Sequence, residues 1–156
     1  MSQEIIARAS ELINARAGFK DEFGMEGYAA LSLIDEKGYP SATTFAIIKS
    51  DGINWLTFGT GIEGRPYAAR INKNNKACVC INSSKYTINL VGTVEALTDL
   101  DTKKANWIPN TAMDNHWSGF DDSNMLVIRF TTERFTIFFS DDGSYLSENI
   151  DEQKEK

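Results

Sequence analysis

Residues 53–82 read INWLTFGTGIEGRPYAARINKNNKACVCIN. Within them GTGIEG (59–64) spells Gly-x-Gly-x-x-Gly between a β-rich apolar run and a helix-like one. A dinucleotide fingerprint has this spelling, but it follows the first strand of a parallel βαβ unit and needs an acidic residue about 20 positions on for the ribose. Here the region near residue 80 reads ACVCINSSK, with no carboxylate until Glu95. RPYAARINK (65–73) is also short for a parallel crossover. No Gly-Lys-Ser/Thr follows, so this is not a Walker loop. Two readings stay open on these residues. One is a phosphate cradle of backbone N–H groups, the Thr60 hydroxyl and the planar fork of Arg65, with Pro66 suited to the first turn of a helix. The other is a tight strand-to-helix turn with a solvated arginine.

The flanking sequence decides the architecture. Upstream, YAALSLI (28–34), SATTFAIIK (41–49) and INWLTF (53–58) are strand-like and are separated by the turns DEKG and SDG. Short turns with Gly between β-rich runs join antiparallel neighbours. Downstream, the helix over 65–73 is capped by the asparagines at 74–75 and followed by strands at 76–82 and 86–97. TDLDTKKANWI (98–108) reads as a helix with Thr98 or Asp99 at its N-cap, and 109–123 reads as irregular. SNMLVIRF (123–130) and ERFTIFF (133–139) read as two closing strands. At the front, Ile5, Ile6, Ala9, Leu12 and Ile13 recur at helical spacing, which predicts a helix over 2–17 stopped by Gly18. The sum is mainly β: one domain over 1–140, a closed or nearly closed antiparallel barrel with flanking helices, and a polar tail over 141–156 that frays.

Composition narrows the function classes. With 16 basic and 22 acidic residues the net charge is −6, which argues against a general nucleic-acid or anionic-membrane surface. The opening MSQEIIARASELINARAG carries charge throughout and lacks the apolar run of a signal peptide, and no apolar stretch approaches the ~20 residues needed to span a bilayer. The only cysteines, Cys78 and Cys80, share one strand face in CVC, a poor geometry for bridging each other. A reduced, cytoplasmic protein is the expectation. His116 is the only histidine, so a multi-histidine metal site is not expected. Asp121 and Asp122 read as a solvated or turn-capping pair.

Four stretches in order carry a resemblance: GYPSATTFAI (38–47), INWLTFGTGIEGRPYAARINKNNKACV (53–79), YTINLVGTVEALTDLDTKKANW (86–107) and HWSGFDDSNMLVIRFTTERFTIF (116–138). Together they resemble the FMN-binding split barrels related to pyridoxamine 5′-phosphate oxidase, in particular the bacterial general stress protein branch, over about Ile5 to Phe139. The resemblance implies FMN as cofactor, held in two symmetric clefts of a homodimer. It implies an oxidoreductase acting on a small molecule or a reduced nicotinamide, with no residue marked as catalytic. It places Ser41, Thr43 and Thr44 beside the flavin ring, Phe58 and Thr60 near the ribityl chain and phosphate, and Arg65 at the loop's arginine. Asn89, Trp107 and Trp117 are its candidates to close the cleft from the second subunit. The chain departs from the pattern where a strand arginine falls at Thr43. The loop's serine and lysine fall at Gly64 and Pro66, or at Arg65 and Tyr67 if one residue is inserted, which makes Tyr67 a further candidate. Alternatives are a non-catalytic flavin-binding or stress-sensing module, or a barrel that holds haem or a deazaflavin.

Overall fold

The computed structural model describes residues 2–20 and 26–154. Helix α1 (Ser2–Arg16) buries Ile5, Ala9, Ile13 and Arg16, one stripe at helical spacing. The chain then turns through two successive left-handed residues, Gly18 (φ 109°) and Phe19 (φ 57°). Their N–H groups donate to the Ile48 and Ile47 carbonyls at 2.8 Å each, so the exit from the helix is stitched to a strand.

Strands β1 (Tyr28–Ile34), β2 (Pro40–Ser50), β3 (Trp55–Gly61), β4 (Lys76–Asn82), β5 (Tyr86–Leu97), β6 (Met125–Phe139) and β7 (Tyr145–Asn149) form one antiparallel sheet. The order is β3-β2-β1-β4-β5-β6-β7, and β3 also pairs with β6, which closes the first six strands into a barrel. Helix α2 (Tyr67–Lys73) crosses from β3 to β4, while α3 (Leu100–Asn106) and α4 (Met113–His116) lie between β5 and β6. Helix α5 (Ile150–Lys154) follows β7. Among the described residues no helix is long and apolar enough to cross a membrane.

Alternation fills the barrel: Leu31, Ile47, Phe58, Val79, Ile88, Ile128 and Ile137 are among its buried residues. On β2 the alternation fails, because Phe45, Ala46, Ile47 and Ile48 are all buried. Phe45 and Ile47 face the barrel interior, whereas Ala46 and Ile48 belong to a second apolar cluster outside it with Phe19, Met113, Trp117, Met125 and Val127. The irregular stretch 109–123 is therefore a packed cover held by α4. The opposite part of the sheet shows a row of small outward residues, Thr44, Ala30, Cys80, Asn89, Thr136 and Ser147, paired side by side across five ladders.

The structure departs from the sequence reading at three elements. The runs 123–130 and 133–139 are not two strands but the two halves of β6. The ladder with β5 steps from Val91↔Arg134 to Gly92↔Thr132, so Glu133 is an inserted residue and the break is a bulge. A side chain at Gly92 would land on the Thr131 carbonyl, which is why the partner there is glycine. The polar tail does not fray through 149: Tyr145–Asn149 pairs with Arg134–Phe138, because backbone pairing needs no apolar face. Residues 155–156 of that tail lie outside the described residues. Finally, β3 runs to Gly61, so the first half of GTGIEG is strand.

Candidate functional site

The cleft lies where two strands part. β2 and β3 pair only over Ile47–Ser50 and Leu56–Phe58, with a bulge between Ile47 and Lys49. Beyond that point β2 continues on β1 alone (Pro40–Ala46) and β3 continues on β6 alone (Gly59–Gly61). Among the described residues the facing edges of Thr44–Ala46 and Gly59–Gly61 have no ladder partner, and between them opens a cavity of about 310 Å³. Unpaired strand edges offer fixed N–H and C=O groups to a ligand.

Aromatic side chains wall this gap. Phe19 and Trp117 meet edge to face at 5.9 Å, and His116 stands at 5.8 Å from Phe19 and 5.5 Å from Trp117. Tyr28 completes the aromatic side, while Phe45 lines the gap from β2 with its ring turned into the barrel. The Phe19 ring reaches the cleft because its backbone is left-handed and pinned to β2, whereas Trp117 is set by α4 and is 7% exposed. Thr44 and Thr60 line the gap, and Glu63, Arg65 and Asn124 form the rim.

The rim is ordered by a hydrogen-bonded loop. Asp122 accepts from the Ser118 N–H (3.0 Å) and hydroxyl (3.2 Å) and from the Asn124 N–H (2.9 Å). These bonds, the Ser118 N–H first, hold its carboxyl below the usual range. The Asp122 carbonyl accepts from the ammonium of Lys103 at 2.7 Å. Asn124 Oδ1 in turn accepts the N–H of Ile62 (2.9 Å) and of Glu63 (2.7 Å).

Four of the ten expected site residues line the cleft: Thr44, Thr60, Arg65 and Trp117. The others lie elsewhere. Ser41 and Thr43 pair with Leu33 and Leu31 and so share the barrel-side face. Phe58 is fully buried in the barrel, 6.1 Å from Phe45. Tyr67 on α2 packs edge-on against Phe45 at 5.0 Å. Trp107 ends α3 and packs on the second cluster. Asn89 sits on the outward row, where its Oδ1 accepts from Cys78 Sγ at 2.8 Å. Burial pushes both the Cys78 and Cys80 thiols up, away from reactive thiolate character. Sequence reading missed Phe19, Tyr28, Glu63 and Asn124 and took His116 for an exposed or loop-packing histidine. Only Asn124 carried a local signal, as an asparagine ending the Gly-x-Asp-Asp turn immediately before β6.

A larger hollow, about 650 Å³, lies between α1 and the β4–β5 turn. Its Arg16 is only 8% exposed and donates to the Tyr28 and Asn82 carbonyls and to the Tyr86 hydroxyl. That guanidinium ties the helix to the barrel.

Solved structures share this architecture. A protein related to general stress protein 26 of B. subtilis, of the pyridoxinephosphate oxidase family, from Clostridium acetobutylicum, superposes with a TM-score of 0.78 at 24% identity, over 97% of this chain and 99% of that one. General stress protein 26 from Bacillus anthracis gives 0.64 at 17% identity, over 94% and 98%. A NimC/NimA family protein from Clostridium acetobutylicum gives 0.63 at 17% identity, over 92% and 93%. No protein-family model and no curated protein matches the chain.

Proposed function

With the split-barrel fold of these pyridoxine phosphate oxidase and general stress proteins as premise, we propose that the cleft between β2 and β3 binds FMN and that the protein is an FMN-dependent oxidoreductase acting on a small molecule. The observation that carries this reading is the unzipped edge itself: two strand edges without ladder partners among the described residues, flanked by aromatic rings, with a guanidinium at the mouth. The donor set fits a flat heterocycle with an anionic tail. Phe19 and Trp117 give apolar walls, the free edges of Thr44–Ala46 and Gly59–Gly61 give hydrogen bonds to a polar ring edge, Thr60 gives a hydroxyl and Arg65 a cation.

When bound, the flavin supplies the electron-transfer chemistry. The chain's residues do the rest: Arg65 meets the phosphate, Thr44 and Thr60 orient the ligand, and the Phe19–Trp117 pair keeps water off one side of the cleft.

The partner is a second copy of the chain, seated on the outward row that begins at Thr44 on the cleft's edge. From Thr44 through Ala30, Cys80 and Asn89 to Thr136 that row is small and uncharged. Two chains of net charge −6 need such a neutral face to approach.

The decisive measurement is the absorption spectrum of freshly purified protein, with the mass of any released cofactor, repeated on apoprotein titrated with FMN. A flavin spectrum that bleaches with a reduced nicotinamide supports the reading. Apoprotein that takes up no FMN at micromolar concentrations overturns it. Arg65→Ala should weaken FMN about tenfold, roughly 1.5 kcal/mol, the lower end for a charged hydrogen bond because this guanidinium is exposed.

A further inference from the structure

The loop that leaves β3 has already filled its own amide cradle. In a glycine-rich phosphate loop, successive N–H groups converge on an anion. Here the Ile62 and Glu63 N–H groups converge on one oxygen, Asn124 Oδ1, at 2.9 and 2.7 Å. The Ile62 N–H also reaches the Asn124 carbonyl (3.2 Å), and the Arg65 N–H closes the turn on the Ile62 carbonyl (3.2 Å). Three N–H groups that a phosphate would use are engaged by the protein. The carboxamide oxygen stands where an anion's oxygen would stand.

Asn124 is itself held from behind. Its N–H donates to Asp122, and the carbonyl of Asp122 accepts from Lys103, which is 4% exposed. A continuous chain of hydrogen bonds therefore runs from α3 to the loop without any ligand. Arg65 follows that loop directly and lines the same cleft, with Glu63 on the same rim.

We propose that Asn124 is the positioning residue of the site: it occupies the cradle, fixes the turn that carries Arg65, and leaves the guanidinium as the contact for the ligand's anionic group. The ligand class follows, resting on the flavin reading above. The cleft selects the flat ring first and its phosphate second, so riboflavin binds only about tenfold more weakly than FMN. One exposed ion pair, with a carboxylate beside it, separates the two by about tenfold at low salt, and screening erases most of that.

The test has two arms. In the ligand-free protein, amide hydrogen exchange at Ile62 and Glu63 is expected to be slow in wild type and in Asn124→Asp, which keeps the acceptor. It is expected to be at least about tenfold faster in Asn124→Leu. Fast exchange at both amides in wild type overturns the proposal. In the second arm, FMN and riboflavin are titrated into apoprotein. The FMN preference should be about tenfold, fall to near one in Arg65→Ala and in Asn124→Leu, and fall no further in the double variant. Asn124→Asp should bind riboflavin normally and FMN more weakly, because the loop is kept and a charge is added. A preference of about a thousandfold, or one that survives Arg65→Ala, overturns the ligand assignment. Slow exchange released by Asn124→Leu, together with no uptake of either flavin, removes the flavin reading while upholding Asn124 as the occupant of the cradle.

Discussion

A methyl group at Gly59 would stand 3.1 Å from Ile48 Cδ1 and 3.2 Å from Trp117 Cη2. The first glycine of the motif thus lets an indole lie against a strand, a role unrelated to phosphate. Gly61 likewise faces the Asn124 side chain, and only Gly64, at φ 67°, is a turn glycine. Gly59→Ala should push Trp117 outward, cost about 1–2 kcal/mol of stability and shift the tryptophan emission to the red. Unchanged emission would show that the ring does not depend on this approach. The contrast explains what could be read from residues alone. Thr60 and Arg65 were legible because the strand, loop and helix that place them are contiguous. Phe19, His116 and Asn124 were not, because packing between stretches far apart in the chain brings them to the same gap. Phe58 and Tyr67 stood among the expected contacts because the resemblance matches positions along the chain, which does not say which side of a strand or helix faces the barrel.

Hairpin spacing made β1 to β3 and the β4–β5 pair legible, while the β1–β4 and β3–β6 pairings that close the ring join stretches no short turn connects. The inserted residue in β6 was not legible, since TTE between two apolar runs reads equally as a turn. The bulge leaves one local defect: Thr132 Oγ1 is buried without a partner among the described residues. Thr132→Val keeps the shape and removes the unsatisfied hydroxyl, so it should raise stability by about 1 kcal/mol, measured as the denaturation midpoint. The β6–β7 turn carries one source of pH dependence. Asp142 is held down to about 2, first by the Ser144 hydroxyl and N–H and then by Arg8 of α1. A folded value below the unfolded one means that its stabilising effect is complete above pH ~4 and disappears as pH falls towards 2. Wild type should therefore melt higher than Asp142→Asn at pH 6, with the gap closing by pH 2. A gap independent of pH would assign the difference to something other than that carboxylate.

For the whole molecule, the outward row from Thr44 to Thr136 is the test of assembly. Cys80→Arg puts a long cation at its centre and leaves the barrel interior untouched, because the Cys80 side chain points away from it. Sedimentation should report twice the 17.4 kDa chain mass for wild type and the single mass for the variant. A dimeric variant, or a monomeric wild type, would move the interface elsewhere. The β3–β6 ladder, meanwhile, joins stretches about seventy residues apart. During synthesis the third strand leaves the ribosome on the order of ten seconds before the strand that shuts the ring. For that interval the nascent chain carries an open seam, and translation that stops short of Met125 yields a polypeptide that cannot seal it.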